Sequence, residues 1–257
     1  MTRVTFTGAN SQVGEYFKGD YNFVSYDLQD PTTWSPLLNS DVVFLLLPKN
    51  KNTLESAKQF ILTAMNSKIK HIIKIGSLRP WRLVHNQIDT FLKESQIAYT
   101  SFDIAPLMNN IFTEQYLTED KALLDYRDNA PAPYLDPKCL ASAIEQSIDN
   151  DEHKNKNYRC TGDKQYTITQ VSDILNSKGY PVTKIKPTTN QVLHKLSDQN
   201  DEVLMTHISQ RYMTEGWFPP VSDNLAKYFK TRSRTLEQFI DQDKNIFERR
   251  FINDGDL

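Results

Sequence analysis

Along the first hundred residues, short apolar bursts alternate with stretches whose apolar residues recur at helical spacing. Residues 4–6, 23–26, 42–47, 72–75 and 99–102 read as buried strands, and 12–18, 32–38, 53–66 and 85–95 as helices between them. Strand and helix in alternation predict an α/β fold, a doubly wound parallel sheet. The run Val42-Val43-Phe44-Leu45-Leu46-Leu47 has no polar face, as a central strand covered on both sides requires. It ends at Pro48, which places Leu47 and Pro48 at the edge of the sheet where ligands bind.

The second half differs. Residues 129–133 carry two prolines and 149–157 are polar and charged, so both read as connections. Residues 166–178 fit an amphipathic helix with Val171, Ile174 and Leu175 on one face and Thr167 or Thr169 as its cap. A strand is predicted at 181–185, and helices at 191–212 and 235–251, separated by Trp217-Phe218-Pro219-Pro220. This divides the chain into a dinucleotide-binding type of domain over residues 1–130 and a smaller, mainly helical C-terminal substrate or cap region over 131–257, interleaved with the first. Apolar residues such as Leu196, Val203, Leu204 and Ile208 suit either a lid over a cleft or the face of a homodimer.

Composition narrows the function. The chain has 257 residues, 39% hydrophobic and 24% charged, with a net charge of -2. That balance gives no electrostatic reason to expect nucleic acid or an anionic membrane as partner, and leaves a small molecule as the expected ligand. No apolar run approaches a membrane span and no basic-then-apolar leader opens the chain, so a cytoplasmic location is expected. Cys139 and Cys160 are too few for a disulfide framework, and neither they nor the five histidines show metal-ligand spacing.

Candidate chemistry begins at Thr7-Gly8-Ala9-Asn10-Ser11-Gln12-Val13-Gly14, a glycine turn between a strand and a helix. Free backbone N–H groups at such a helix start favour a pyrophosphate, and Gly8 and Gly14 keep the turn tight. Ser11 stands at the middle glycine position of the spacing. Asp27, nineteen residues past Gly8, falls where a carboxylate takes the adenosine ribose hydroxyls, or else it ends a strand. A carboxylate there repels a 2′-phosphate, which favours NAD(H) over NADP(H). Gly76 and Ser77 close the fourth strand at the same edge, and the Ser77 hydroxyl can hydrogen-bond a carbonyl or the nicotinamide end.

The Tyr-x-x-x-Lys pair that short-chain dehydrogenases use for proton donation is absent from the following helix. In its place stand His85, Asp89 and Lys93, four residues apart and so on one helical face. His85 titrates near neutrality and is the candidate proton donor, held by Asp89; a surface charge pair is the plainer alternative. Trp81 and Trp217 are candidates to line a substrate cleft.

The chain resembles the NmrA-like atypical short-chain dehydrogenase/reductases. The resemblance rests on the glycine turn, Tyr26-Asp27-Leu28-Gln29-Asp30-Pro31, Asp41-Val42-Val43-Phe44-Leu45-Leu46-Leu47-Pro48, His85-x-x-x-Asp89-x-x-Leu92, Leu107-Met108-Asn109-Asn110 and Thr161-Gly162-Asp163. It implies a Rossmann domain that binds NAD(P)H at Gly8, Asn10, Ser11, Gln12, Val13, Gly14, Asp27, Leu47, Pro48 and Gly76, with Asn110 on the substrate side. It implies either reduction of a small organic molecule or non-catalytic sensing of the cofactor's redox state. The chain departs from the family at Ser11, at Asp103-Ile104 where Arg-Pro is usual, and in a short stretch between Gly14 and Asp27.

Overall fold

The computed structural model describes residues 3–5, 12–19, 21, 26–47, 52–67, 69–78, 82–114, 116–188, 220–248 and 251. The chain forms two compact units. The first comprises Met1–Ile104, Lys138–Cys160 and Asn224–Thr231; the second comprises Ala105–Pro137, Thr161–Asp223 and Arg232–Leu257. The chain therefore crosses between the two units repeatedly.

The first unit holds a fully parallel five-stranded sheet. Its strands are β1 (Val4–Thr5), β2 (Val42–Leu46), β3 (His71–Ser77), β4 (Ala98–Ile104) and β6 (Lys156–Cys160), in the order β1-β2-β3-β4-β6. Parallel pairing aligns all the C-terminal strand ends on one edge. Val42 pairs with Val4 and His71, and Gly76 and Ser77 of β3 stand beside Asp103 and Ile104 of β4. Helices α1 (Thr53–Asn66) and α2 (Arg82–Glu94) supply the cover. The α1 residues Ala57, Phe60, Ile61 and Ala64 recur at helical spacing and bury one face against Val43, Leu45 and Ile72. Tyr26 stacks on Phe60 with ring centroids 5.0 Å apart, and Trp34 meets the same ring edge-on at 5.3 Å. Each such side chain contributes about 1.5–3 kcal/mol by leaving water.

Two expected helices are shorter or tighter than the periodicity predicts. Over 12–18 only a 3₁₀ turn forms, Gly14–Tyr16. The amides of Lys18 and Gly19, which would continue a helix, donate instead to Oε1 of Glu145 at 2.7 and 2.9 Å. Over 32–38 the chain is 3₁₀ throughout, Pro31–Asn39, with Asp30 capping the Thr32 amide. Pro36 in the sequence has no N–H to donate to an ordinary helical bond.

The segment 149–157, expected as a connection, leads into β6. Its Lys156 and Asn157 are exposed while Tyr158 and Cys160 are buried, the signature of a short outer strand that polar flanks obscure. Beyond β6 lies α5 (Asn224–Phe229), with Asn224 Nδ2 donating to the Arg159 carbonyl at 3.1 Å. The Phe229 ring stacks on His153 at 4.3 Å and meets Tyr158 edge-on at 4.8 Å. Helix α3 (Pro137–Ile148) carries the Glu145 carboxylate.

In the second unit β5 (Ala122–Leu124) pairs in parallel with β7 (Thr183–Ile185). Helix α4 (Ile168–Ser177) begins at Thr167, whose hydroxyl and the Gln170 side chain form a reciprocal capping box. The helix expected over 235–251 is broken into α6 (Leu236–Gln242) and α7 (Lys244–Phe247) at Asp243. Phe112, Phe239 and Phe247 share its core, Phe112 stacking on Phe247 at 4.3 Å. Asp136 is held there by Arg234 through two bonds of 2.8 Å. Among the described residues no helix is long and apolar enough to cross a membrane. The predicted helix 191–212 lies outside them.

Candidate active site

Lys74 is fully buried in the middle of β3. An isolated ammonium there would be prohibitive, and the fold compensates it with two carboxylates. Asp89 of α2 accepts from its Nζ at 2.6 Å, and Asp103 of β4 lies at 3.5 Å. The strand register explains the meeting. Lys74 pairs with Ser101 and Gly76 with Asp103, so alternate residues of β3 and β4 project to the face that α2 covers. The Tyr99 phenol is raised, first by burial and then by the Asp89 charge.

His85 lies one helical turn before Asp89 and is only 5% exposed. Its Nδ1 accepts a hydrogen bond from the Ser77 backbone N–H at 2.8 Å. In the neutral ring the proton therefore resides on Nε2. The close approach depends on Gly76, because a Cβ there would stand 2.4 Å from His85 Nδ1 and 3.0 Å from Asp103 Oδ1. Gly76, which the resemblance places among the cofactor-binding residues, is thus packed against His85.

The sequence-predicted trio separates. Asp89 is bonded to Lys74, and Lys93 is exposed, so Asp89 serves the buried lysine. Ser77 is half-buried at the strand end. Close by in the sheet, Leu46 ends β2 with 39% of its surface exposed, and Leu47 is half-buried.

On the phosphate side, Gly8, Asn10 and Ser11 lie outside the described residues, as do Pro48, Trp81 and Trp217. Gln12 is half-buried, while Val13 and Gly14 are buried and lead into the three-residue turn, whose first turn carries the exposed Glu15. Asp27 is exposed, and its Oδ1 accepts the Gln29 amide at 2.8 Å. Its carbonyl accepts Trp34 Nε1 at 2.7 Å. Asp27 thus builds the turn into the 3₁₀ segment. Among the described residues, nothing pairs with β1 on its outer side.

In the second unit Asn110 is half-buried in a 3₁₀ turn, Met108–Phe112, and its carbonyl accepts from Thr113 Oγ1 at 2.8 Å. Its neighbour Asn109 is buried with an Oδ1 that finds no hydrogen-bond partner among the described residues. No metal-binding group of three or more His, Cys, Asp or Glu occurs among them.

No protein-family model and no curated protein sequence matches the chain. Solved structures share its fold. A nucleoside-diphosphate-sugar epimerase from Staphylococcus aureus superposes with a TM-score of 0.73 at 14% identity, covering 93% of this chain and 100% of that one. An NADPH-dependent quinone oxidoreductase of Escherichia coli, solved with NADPH, gives 0.72 at 16% identity over 93% and 98%. The triphenylmethane reductase of Citrobacter sp., solved with NADP(H), gives 0.71 at 17% identity over 91% and 98%. At such identities the likeness establishes the Rossmann-like α/β fold.

Lys74, Asp103 and Asn109 were missed by sequence reasoning. The first had a signal, a lysine set inside Ile72-Ile73-Lys74-Ile75, where burial of the neighbours demands a counter-charge. Asp103 stood out only as a departure from the family pattern, and the strand register is what sets it beside Gly76.

Proposed function

We propose that this chain is an NAD(P)H-dependent oxidoreductase of the NmrA-like type, acting on a small organic substrate at the C-terminal edge of its parallel sheet. The observation that carries the reading is the strand end Gly76-Ser77, where the Ser77 backbone N–H meets the buried His85 on a fold shared with NADPH-dependent reductases. A bound nicotinamide would supply hydride. Leu46 and Leu47 offer apolar surface for its ring, and the Ser77 hydroxyl would orient a carbonyl or carboxamide. His85 holds the proton that reduction consumes.

Asp27, the ground for preferring NAD(H), is engaged in a local turn, and the similar reductases were solved with NADPH or NADP(H). No preference for NAD(H) is retained.

A second reading, a cofactor-sensing protein without turnover, draws support from the shortened turn at Gly14 and from the missing tyrosine. Titration with NADPH and with NADH, followed by nicotinamide fluorescence and then by oxidation with quinones and triphenylmethane dyes, separates the two. Binding with turnover supports the reductase, and binding without turnover the sensor. Absence of binding at millimolar cofactor overturns both.

A further inference from the structure

A cavity of about 380 Å³ lies at the N-terminal edge of the parallel sheet, within the first unit. Val42 and His71, which open β2 and β3, line it together with Ile148 and Asp149 at the end of α3. His71 stands at the opposite end of β3 from Ser77, about 20 Å away at roughly 3.3 Å per residue. The cavity is therefore separate from the candidate active site.

His71 is 1% exposed, and its two ring nitrogens are unequally served. Nε2 lies 2.9 Å from Thr100 Oγ1, and the one proton of that hydroxyl is given to the His153 carbonyl at 2.8 Å. Nε2 must then carry the ring proton, which leaves Nδ1 a bare acceptor. Nδ1 has no hydrogen-bond partner among the described residues. Burial keeps the ring neutral, lowering its pKa to about 4 against the pull of the Ile148 carbonyl. A carbonyl is itself an acceptor and cannot satisfy a lone pair. What completes this corner of the cavity is a hydrogen-bond donor.

The surroundings favour a donor that is also a cation. Ile148 ends α3, and no basic residue in the last turn of that helix meets the negative end of its dipole. The Asp149 carboxylate follows directly, and Asp41 and Asp151 line the same cavity. The two lysines of the lining are engaged with these carboxylates, Lys70 with Asp41 at 2.9 Å and Lys154 with Asp151 at 2.5 Å. We propose that the cavity is a binding site for a small primary ammonium ion, which donates to His71 Nδ1 and rests against the C-terminal end of α3. The ammonium supplies several N–H donors on one atom, so one can meet Nδ1 while another meets the Ile148 carbonyl.

The test follows the His71 ring nitrogens by NMR in the protein without nucleotide, during titration with ethylammonium chloride. Tetramethylammonium chloride is the control, since it has the same charge and no N–H. Ethylammonium should move the Nδ1 resonance saturably, and tetramethylammonium should leave it in place. Asp149→Asn, a change at an exposed residue, should weaken ethylammonium binding about threefold, the worth of an exposed charge pair. No saturable shift, or an equal shift with both salts, overturns the proposal and leaves water as the partner of the lone pair. Unchanged affinity in Asp149→Asn overturns it as well. The ring readout needs only the unmodified protein, so a variant that fails to fold leaves it decisive. Because no cofactor is present, a failure here leaves the NADPH titration untouched, and a failed NADPH titration leaves the ammonium site standing.

Discussion

Gly76 and His85 contend for one volume, since a Cβ on the glycine would lie 2.4 Å from the imidazole Nδ1. The helix that carries His85 can therefore close on β3 only where a side chain is missing.

Gly76→Ala should force the imidazole or the helix outward and destabilise the fold by about 1–3 kcal/mol, the usual cost of overpacking. Its urea midpoint should fall, and adding His85→Ala should restore part of the loss. Strict additivity in the double-mutant cycle would show that the two residues do not share the space.

Burial pushes the His71 imidazole down to about 4 from its ordinary 6.5. Its Nε2 pairs with Thr100 Oγ1 at 2.9 Å, and that hydroxyl donates to the His153 carbonyl at 2.8 Å. Between pH 6.5 and about 4 the unfolded chain binds a proton at His71 that the folded chain does not. Stability is complete above 6.5 and falls with pH across that window, by about 1.4 kcal/mol per unit. Unfolding by urea at a series of pH values should show this slope, and His71→Gln should flatten it. An equal slope in the variant would assign the proton elsewhere.

Arg234 joins Asp136 by two bonds of 2.8 Å and reaches Asp243 at 2.5 Å. Asp136 is almost fully buried, so truncating the arginine leaves a carboxylate without its counter-charge. Arg234→Ala should cost about 3–5 kcal/mol. Arg234→Lys should recover only part of this, because an ammonium cannot reproduce the planar fork. Thermal unfolding of both variants measures the difference, and full recovery by lysine would reduce the bidentate geometry to simple charge.

The sheet was legible where burial is continuous. Val42 to Leu47 and Ile72 to Ile75 carry no competing polar pattern, and β2 and β3 form there. Elements defined by remote partners were not legible. The helix expected after Gly14 is cut short by the carboxylate of Glu145, more than a hundred residues away in sequence. Strand β6 is a ladder of exposed and buried residues that becomes a strand beside β4. In the candidate site His85 and Ser77 were legible as residues, and their bond was not. Lys74 draws Asp89 away from the role its spacing suggested, an effect that appears only when α2 lies over β3.

The placement of α5 against β6 bears on how the protein is made. Phe229 covers His153, Tyr158 and Phe102. It is among the last residues of the first unit to be synthesised. The sheet begins at Val4, yet the helix that covers its outer strand follows that strand far along the chain, at Asn224–Phe229. Chains halted before Asn224 would present Tyr158 of β6 to their neighbours, so stalled translation products are prone to aggregate.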